Sequence, residues 1–341
     1  MFLCKKIDLT ERERAVENLI LNWSLGHERF LNVISLPYNS SEVFLKTILF
    51  HANKGKKIIY ITNEEHNHID ILETIKRSSD FRDYSYTKYG KINLTSRLKV
   101  CDFINAKSLS EKFDVIIYDE IRRIPKYNKH EVIDLVSCIS NNEAKVIFYS
   151  VEGILENKKE LIFPINYNRT PMVEPRSIVT RVNINKDIPF VVYDYLKWSI
   201  MSDRKVVIYV PTEEKIESVY SYISYYCKEF SRNIICCVKS RKDKKQILNF
   251  EKIKRAVLIT NDFEQNFLHA KNTDVMVYFA DAPEYDYKKL IYFCGSVGRS
   301  EKDSKGEVIF LANEETDHME KAKNIARNFN KEAWEMGLLR I

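Results

Sequence analysis

Short β-branched apolar runs alternate with helix-periodic segments along almost the whole chain, and this alternation leaves few architectures open. Strands are predicted at Phe30–Leu36, Lys57–Thr62, Lys99–Ile104, Val115–Tyr118 and Lys145–Ser150, with amphipathic segments at Glu42–Asn53, Glu65–Ser78 and Glu131–Ser140. The rhythm restarts after Ser202. Further strands are expected at Val206–Val210, Ile234–Cys237, Ala256–Thr260, Val275–Phe279 and Glu307–Leu311, and helices at Glu213–Phe230, Tyr287–Cys294 and Glu315–Phe329. Apolar strands separated by helices imply parallel sheets covered on both faces. The stretch Phe163–Lys186, where the segment INYNRTPMVEPRS carries two prolines and little periodicity, separates the two series. Two doubly wound α/β domains in tandem are therefore expected: residues 1–165, a linker at 166–186, and residues 187–341.

A chain of 341 residues suits two such domains. Its formal net charge of +6 permits an anionic partner without requiring one. Seven cysteines with no C-x-x-C pair support neither a zinc ribbon nor a disulfide framework, so reduced, buried thiols are expected. His66 and His68 lie two apart, on different faces of a helix, without metal-ligand spacing. The N-terminus turns charged at once and no window is apolar enough to span a membrane, which points to a soluble cytoplasmic protein.

Several segments carry possible chemistry. Phe113–Glu120 is an apolar run that delivers Asp119 and Glu120 together, at the strand end where open α/β sheets bind ligands. Asp119 there can hold Mg²⁺ and Glu120 can orient an attacking water; equally, the pair can cap the next segment. Ile34–Glu42 stands where a phosphate loop would open the first helix, but it has neither glycine nor lysine. Ser40 and Ser41 either cap that helix or present its amides to an anion. Thr62 ends a strand at the same sheet edge, where it can meet a nucleic-acid phosphate or simply close the strand. Ser150 ends another.

In the second half, Ala256–Ser300 runs strand, polar loop, strand and helix, and closes on Gly295-Ser296-Val297-Gly298-Arg299-Ser300, with Arg299 beside glycine. Lys239–Lys245 is the densest basic run; Lys239, Arg241 and Lys242 can contact phosphates, or the run can be a solvated loop. The many tyrosines and phenylalanines offer base-stacking surfaces, although Tyr225-Tyr226 on a helical pattern argue for packing.

Taken in order, these pieces resemble superfamily 2 helicases, and most closely the ComFA family of competence DNA translocases. The resemblance is carried by Asp119-Glu120-Ile121 with Ile124-Pro125, by Pro171–Arg176, Lys205–Pro211, Ala256–Thr260, Asp274–Phe279 and Leu290–Ser300, and by Gly306–Phe310 with Met319, Ala322 and Asn330. It implies two RecA-like domains, with Asp119, Glu120 and Arg299 in the catalytic positions, Asp119 on Mg²⁺, and Ser40 and Ser41 at ATP. It also implies single-stranded DNA as a partner, a competence or DNA-processing protein as another, and a role in DNA uptake or processing. The departures bear on turnover. Ser40 stands at the phosphate-loop lysine, Arg122 at the last acid of the DExD segment, Gln265-Asn266 at an Arg-Gly pair, Tyr292 at a glutamine and Ser296 at an arginine. ATP binding is therefore expected to be weak and hydrolysis weak or lost. The alternative is a non-catalytic helicase-like protein that binds nucleic acid or a protein partner.

Overall fold

The computed structural model describes residues 9–86, 95–166, 168–241, 244–264, 271–299 and 305–339, and the chain divides into two compact units, Met1–Pro164 and Ile165–Ile341. The first unit runs α1 (Leu9–Leu25), β1 (Phe30–Ser35), a 3₁₀ turn (Ser41–Phe44), α2 (Leu45–Asn53), β2 (Ile58–Thr62), α3 (Asp70–Ser78), β3 (Tyr84–Tyr86) and β4 (Leu98–Cys101). It continues through α4 (Phe103–Lys107), β5 (Phe113–Asp119), α5 (Lys129–Ile139), β6 (Ser140–Ser150) and β7 (Lys159–Phe163). The strands form one sheet in the order β3-β4-β2-β5-β6-β1-β7, every pair parallel. All five residues of β2 are buried, as are six of the seven of β5, which is why these strands read as unbroken apolar runs. Parallel pairing brings the C-terminal ends of β1, β2, β5 and β6 to one edge of this sheet, and the loops that follow them carry the site.

The second unit contains β8 (Arg176–Val179), α6 (Phe190–Met201), β9 (Lys205–Tyr209), α7 (Glu213–Cys227), β10 (Ile234–Cys237) and a 3₁₀ turn (Lys239–Arg241). Then come α8 (Lys244–Lys252), β11 (Ala256–Thr260), β12 (Thr273–Tyr278), α9 (Tyr287–Ser296), β13 (Val308–Ala312) and α10 (Asp317–Glu335). Its six parallel strands are ordered β10-β11-β9-β12-β13-β8. One buried ion pair fastens the N-terminal edge of this sheet. Asp274, wholly buried on β12, accepts from Arg204 Nε (2.8 Å) and Nη2 (2.6 Å), from Ser199 Oγ (3.2 Å) and from the Glu307 amide (2.9 Å).

The stretch 166–186, expected to be a linker, differs from that expectation. It contains β8, which pairs with β13, and Asn330 ties it down by exchanging hydrogen bonds with the Met172 backbone. Backbone pairing overrides the lack of periodicity there. The Glu65–Ser78 helix starts later than its pattern suggests, at Asp70, whose amide donates to Glu64 Oε2 (3.3 Å). The cysteines are unpaired among the described residues, and Cys138 is exposed rather than buried. No described helix is long and apolar enough to cross a membrane.

Candidate functional site

β5 ends at Asp119, and β2 lies beside it with Thr62 opposite Asp119 in register. Both carboxylates of the Asp119-Glu120 pair are buried, at 1% and 2% exposure. Asp119 Oδ1 accepts the Ile121 amide (2.8 Å), and Oδ2 accepts the hydroxyl of Tyr60, which reaches over from β2. Burial, with the nearby charge of Glu64 added, pushes the Asp119 carboxyl up to about 8, so it is largely protonated at neutral pH. The Glu120 amide donates to the Tyr149 carbonyl of β6 (3.0 Å), which fixes the turn out of the strand.

The loop after β1 turns without glycine. Tyr38 takes φ +64°, a left-handed conformation unusual for a bulky side chain, and its amide donates to the Ile121 carbonyl (2.8 Å). The loop then delivers Ser40 and Ser41 to the start of the helical segment. Three of their donors converge on one oxygen of Asp70 from α3. Oδ2 accepts from Ser40 Oγ (2.8 Å), Ser41 N (2.7 Å) and Ser41 Oγ (2.8 Å). A carboxylate of the chain itself thus occupies the place where the helix start would present donors to a phosphate.

Arg122 completes the arrangement. Its Nε donates to Glu64 Oε1 (3.1 Å), Nη1 to the carbonyls of Tyr38 (2.8 Å) and Asn39 (3.3 Å), and Nη2 lies 3.5 Å from Asp70 Oδ1. One guanidinium therefore clamps the loop after β1, the loop after β2 and the start of α3. Burial raises Asp70, but the Arg122 charge and the Ser41 donors outweigh it and hold the carboxyl below its ordinary value. For Glu64 burial prevails over Arg122, and the neighbouring Asp70 adds to it, so its carboxyl is raised. For Arg122 burial is opposed by Asp70 and Glu64, and the guanidinium is held more firmly charged.

The remaining residues singled out from sequence are spread over both domains. Thr62 is buried at 3% and its Oγ1 accepts the Glu64 amide (3.3 Å), so it offers a ligand little surface. Ser150 Oγ turns back to the Glu152 carbonyl (2.6 Å). Lys239 is exposed and pairs with Glu264 (3.2 Å); Arg241 is exposed beside it, and Lys242, like Gln265-Asn266, lies outside the described residues. Arg299 follows α9, with Nη1 donating to the Gly295 carbonyl (3.3 Å) and its own carbonyl accepting Asn168 Nδ2 (2.9 Å). Gly298, at φ +70°, makes the turn that places it. Gly298→Ala is expected to cost about 1 kcal/mol from the left-handed conformation, read as a lower denaturant midpoint of the second domain.

Glu64, Asp70 and Tyr60 were not among the expected site residues, and Arg122 entered only as a departure. As arranged, these residues do not fit Mg-ATP. The Ser40 and Ser41 donors already hold a carboxylate, both Asp119 oxygens accept from protein donors, and no lysine stands in the loop after β1. Among the described residues no cluster of three or more His, Cys, Asp or Glu has metal-binding geometry.

No protein-family model and no curated protein matches the chain. Solved structures do. A variant of S. cerevisiae Dbp5 bound to RNA and ADP BeF3 matches at 13% identity and a TM-score of 0.58, over 93% of this chain and 87% of that one. RecG bound to a three-way DNA junction matches at 14% identity and a TM-score of 0.55, over 97% of this chain and 46% of that one. The Pyrococcus furiosus Hef helicase domain matches at 9% identity and a TM-score of 0.52, over 89% and 96%. At these identities the likeness is one of fold: two parallel-sheet, RecA-like α/β domains in tandem.

Proposed function

We propose that this chain is a helicase-fold nucleic-acid-binding protein of DNA handling in which nucleotide turnover is weak or absent. The observation that carries this reading is the Asp70 carboxylate seated on Ser40 and Ser41 and backed by Arg122. In phosphoryl transfer the protein contributes positioning and positive charge around the phosphates. Here a carboxylate already occupies the donors, and the guanidinium beside it is committed to Asp70 and Glu64. An incoming triphosphate would have to displace Asp70 against that pairing. Nucleic-acid binding is supported by the fold shared with proteins seen on RNA and on a DNA junction, by the net charge of +6, and by the exposed Lys239 and Arg241. The resemblance to ComFA proteins adds DNA uptake or processing as the setting, and single-stranded DNA as the preferred strand.

A second reading, an ATP-driven DNA translocase, is favoured by the Asp119-Glu120 pair at a strand end and by the retention of Arg299. One experiment separates the two: Mg-ATP binding and hydrolysis with and without single-stranded DNA, in the wild type and in Glu120→Gln and Arg299→Ala. The expected result is salt-sensitive DNA binding, indifferent to Mg-ATP, with no DNA-stimulated turnover. DNA-stimulated turnover that disappears in both variants would establish the motor and refute the closed site.

A further inference from the structure

Helix α6 is apolar on both faces. Its inner face buries Val192, Leu196 and Ile200 in the core of the second domain. Its outer face leaves Phe190 75%, Val191 48%, Trp198 51% and Met201 64% exposed. A helix with large apolar side chains on both faces is normally covered on both. The outer residues are also ordered. Phe190, Asp194, Lys197 and Met201 are spaced four, three and four apart, the a/d spacing of a helix-pairing seam, with Val191 and Trp198 flanking it. Asp194 and Lys197 are exposed, and neither side chain has a hydrogen bond or ion pair with another described residue.

We propose that this face pairs with a second copy of the chain, the two α6 helices antiparallel about a two-fold axis. The seam is its own complement. Reversing the helix about its midpoint sets Phe190 against Met201 of the second copy and Asp194 against Lys197, and the symmetry repeats each pair. A two-fold interface requires this, since residue i must suit j and j must suit i. A parallel pairing would instead set Asp194 against Asp194 and Lys197 against Lys197. Opposite charges within an apolar seam weaken it but fix direction and register.

The patch continues beyond the helix. Phe190 neighbours Tyr193 (ring centroids 6.5 Å apart), Tyr193 meets Phe230 edge-on (5.6 Å), and α7 ends with Tyr225 and Tyr226 exposed at 65% and 40%. These tyrosines, expected to pack inside, enlarge the apolar surface instead. A seam twelve residues long spans only about 18 Å, little more than three helical turns, so a reversible dimer is the expected strength. The inference stands whether or not the first domain turns over nucleotide.

The test uses the full chain in sedimentation equilibrium. Wild type should dimerise as concentration rises. Asp194→Lys makes the seam wholly positive and Lys197→Asp wholly negative, so each variant alone should dissociate at least about tenfold more readily. Mixed one to one, the two variants should form a heterodimer of wild-type strength, because every Lys then faces an Asp. A charge pair within one chain cannot produce that rescue. Circular dichroism guards against misfolding, which is not expected at two exposed positions. A wild type that stays monomeric at every accessible concentration overturns the proposal, as does a mixture that stays monomeric. Phe190→Ala or Trp198→Ala weakening single-stranded DNA binding while the mass is unchanged would assign the face to nucleic acid and overturn it too.

Discussion

Arg122→Met should cost the first domain about 3–5 kcal/mol, the loss usual when one partner of a buried ion pair is removed and the other is stranded. Two carboxylates would be stranded here, Glu64 and Asp70, and the Tyr38 and Asn39 carbonyls would lose their donor. Three connections of the first domain are joined by this guanidinium, so the loss should appear as fraying of the site edge as well as a lower midpoint. Trp23, buried in α1, reports on this domain, whereas Trp198 and Trp334 lie in the second. Urea unfolding followed by Trp23 fluorescence in a Trp198→Phe, Trp334→Phe background therefore isolates the effect from a transition that two domains make non-two-state. Adding Glu64→Gln and Asp70→Asn should recover most of the loss, because no buried charge is then left alone. A loss below about 1 kcal/mol would mean that the Arg122 network is solvated and cannot bar a phosphate.

The second large effect is a pH dependence set by Asp119. Its carboxyl releases a proton near 3.8 when unfolded and near 8 when folded. Between those values the folded state holds a proton that the unfolded state has released, so the Asp119 contribution to stability falls as pH rises from about 4 to about 8. Glu64, also raised, acts in the same direction. Asp70 is lowered, so its contribution is present above its ordinary value and is lost only as pH falls below about 4. Asp119→Asn removes the largest of these terms while keeping an acceptor for the Ile121 amide. The variant should gain on the order of 3 kcal/mol over wild type at pH 8 and little near pH 4. Urea midpoints of both proteins across that range check this. A difference independent of pH would mean that Asp119 is ionised in the folded protein, which would restore its standing as a cation ligand.

Much of the architecture was legible because buried parallel strands announce themselves. β10 and β11 match their expected spans, and β5 differs from its expectation only at its ends. Elements whose sequence lacks contrast were not legible. α6 carries large apolar residues on its outer face as well as its inner one and so shows little period, and β8, with no fully buried residue, borrows its strand character from β13. The site divides along the same line. Asp119 and Glu120 could be set at a strand end from the apolar run before them. Their surroundings could not, because Glu64, Asp70 and Arg122 are brought together only by the pairing of β2 with β5 and by the loops beyond. One signal was present: an arginine in place of an acid changes the local charge by two, and a buried site must rebalance with carboxylates from elsewhere.

The Asp70 contact also bears on how this sequence can change. Loss of Asp70 alone leaves Arg122 facing Ser40 and Ser41 with one fewer counter-charge. An acid introduced at position 122 alone would sit beside Glu64 and Asp70, with nothing to neutralise the three. A lysine introduced in the loop after β1 would meet the charge already held by Arg122. Each single step towards a phosphate-binding loop is therefore a step down in stability, and only several made together escape the penalty. The side chain that fills the cradle acts as a ratchet on descent, so lineages that carry it should keep Glu64, Asp70 and Arg122 as a set or lose all three.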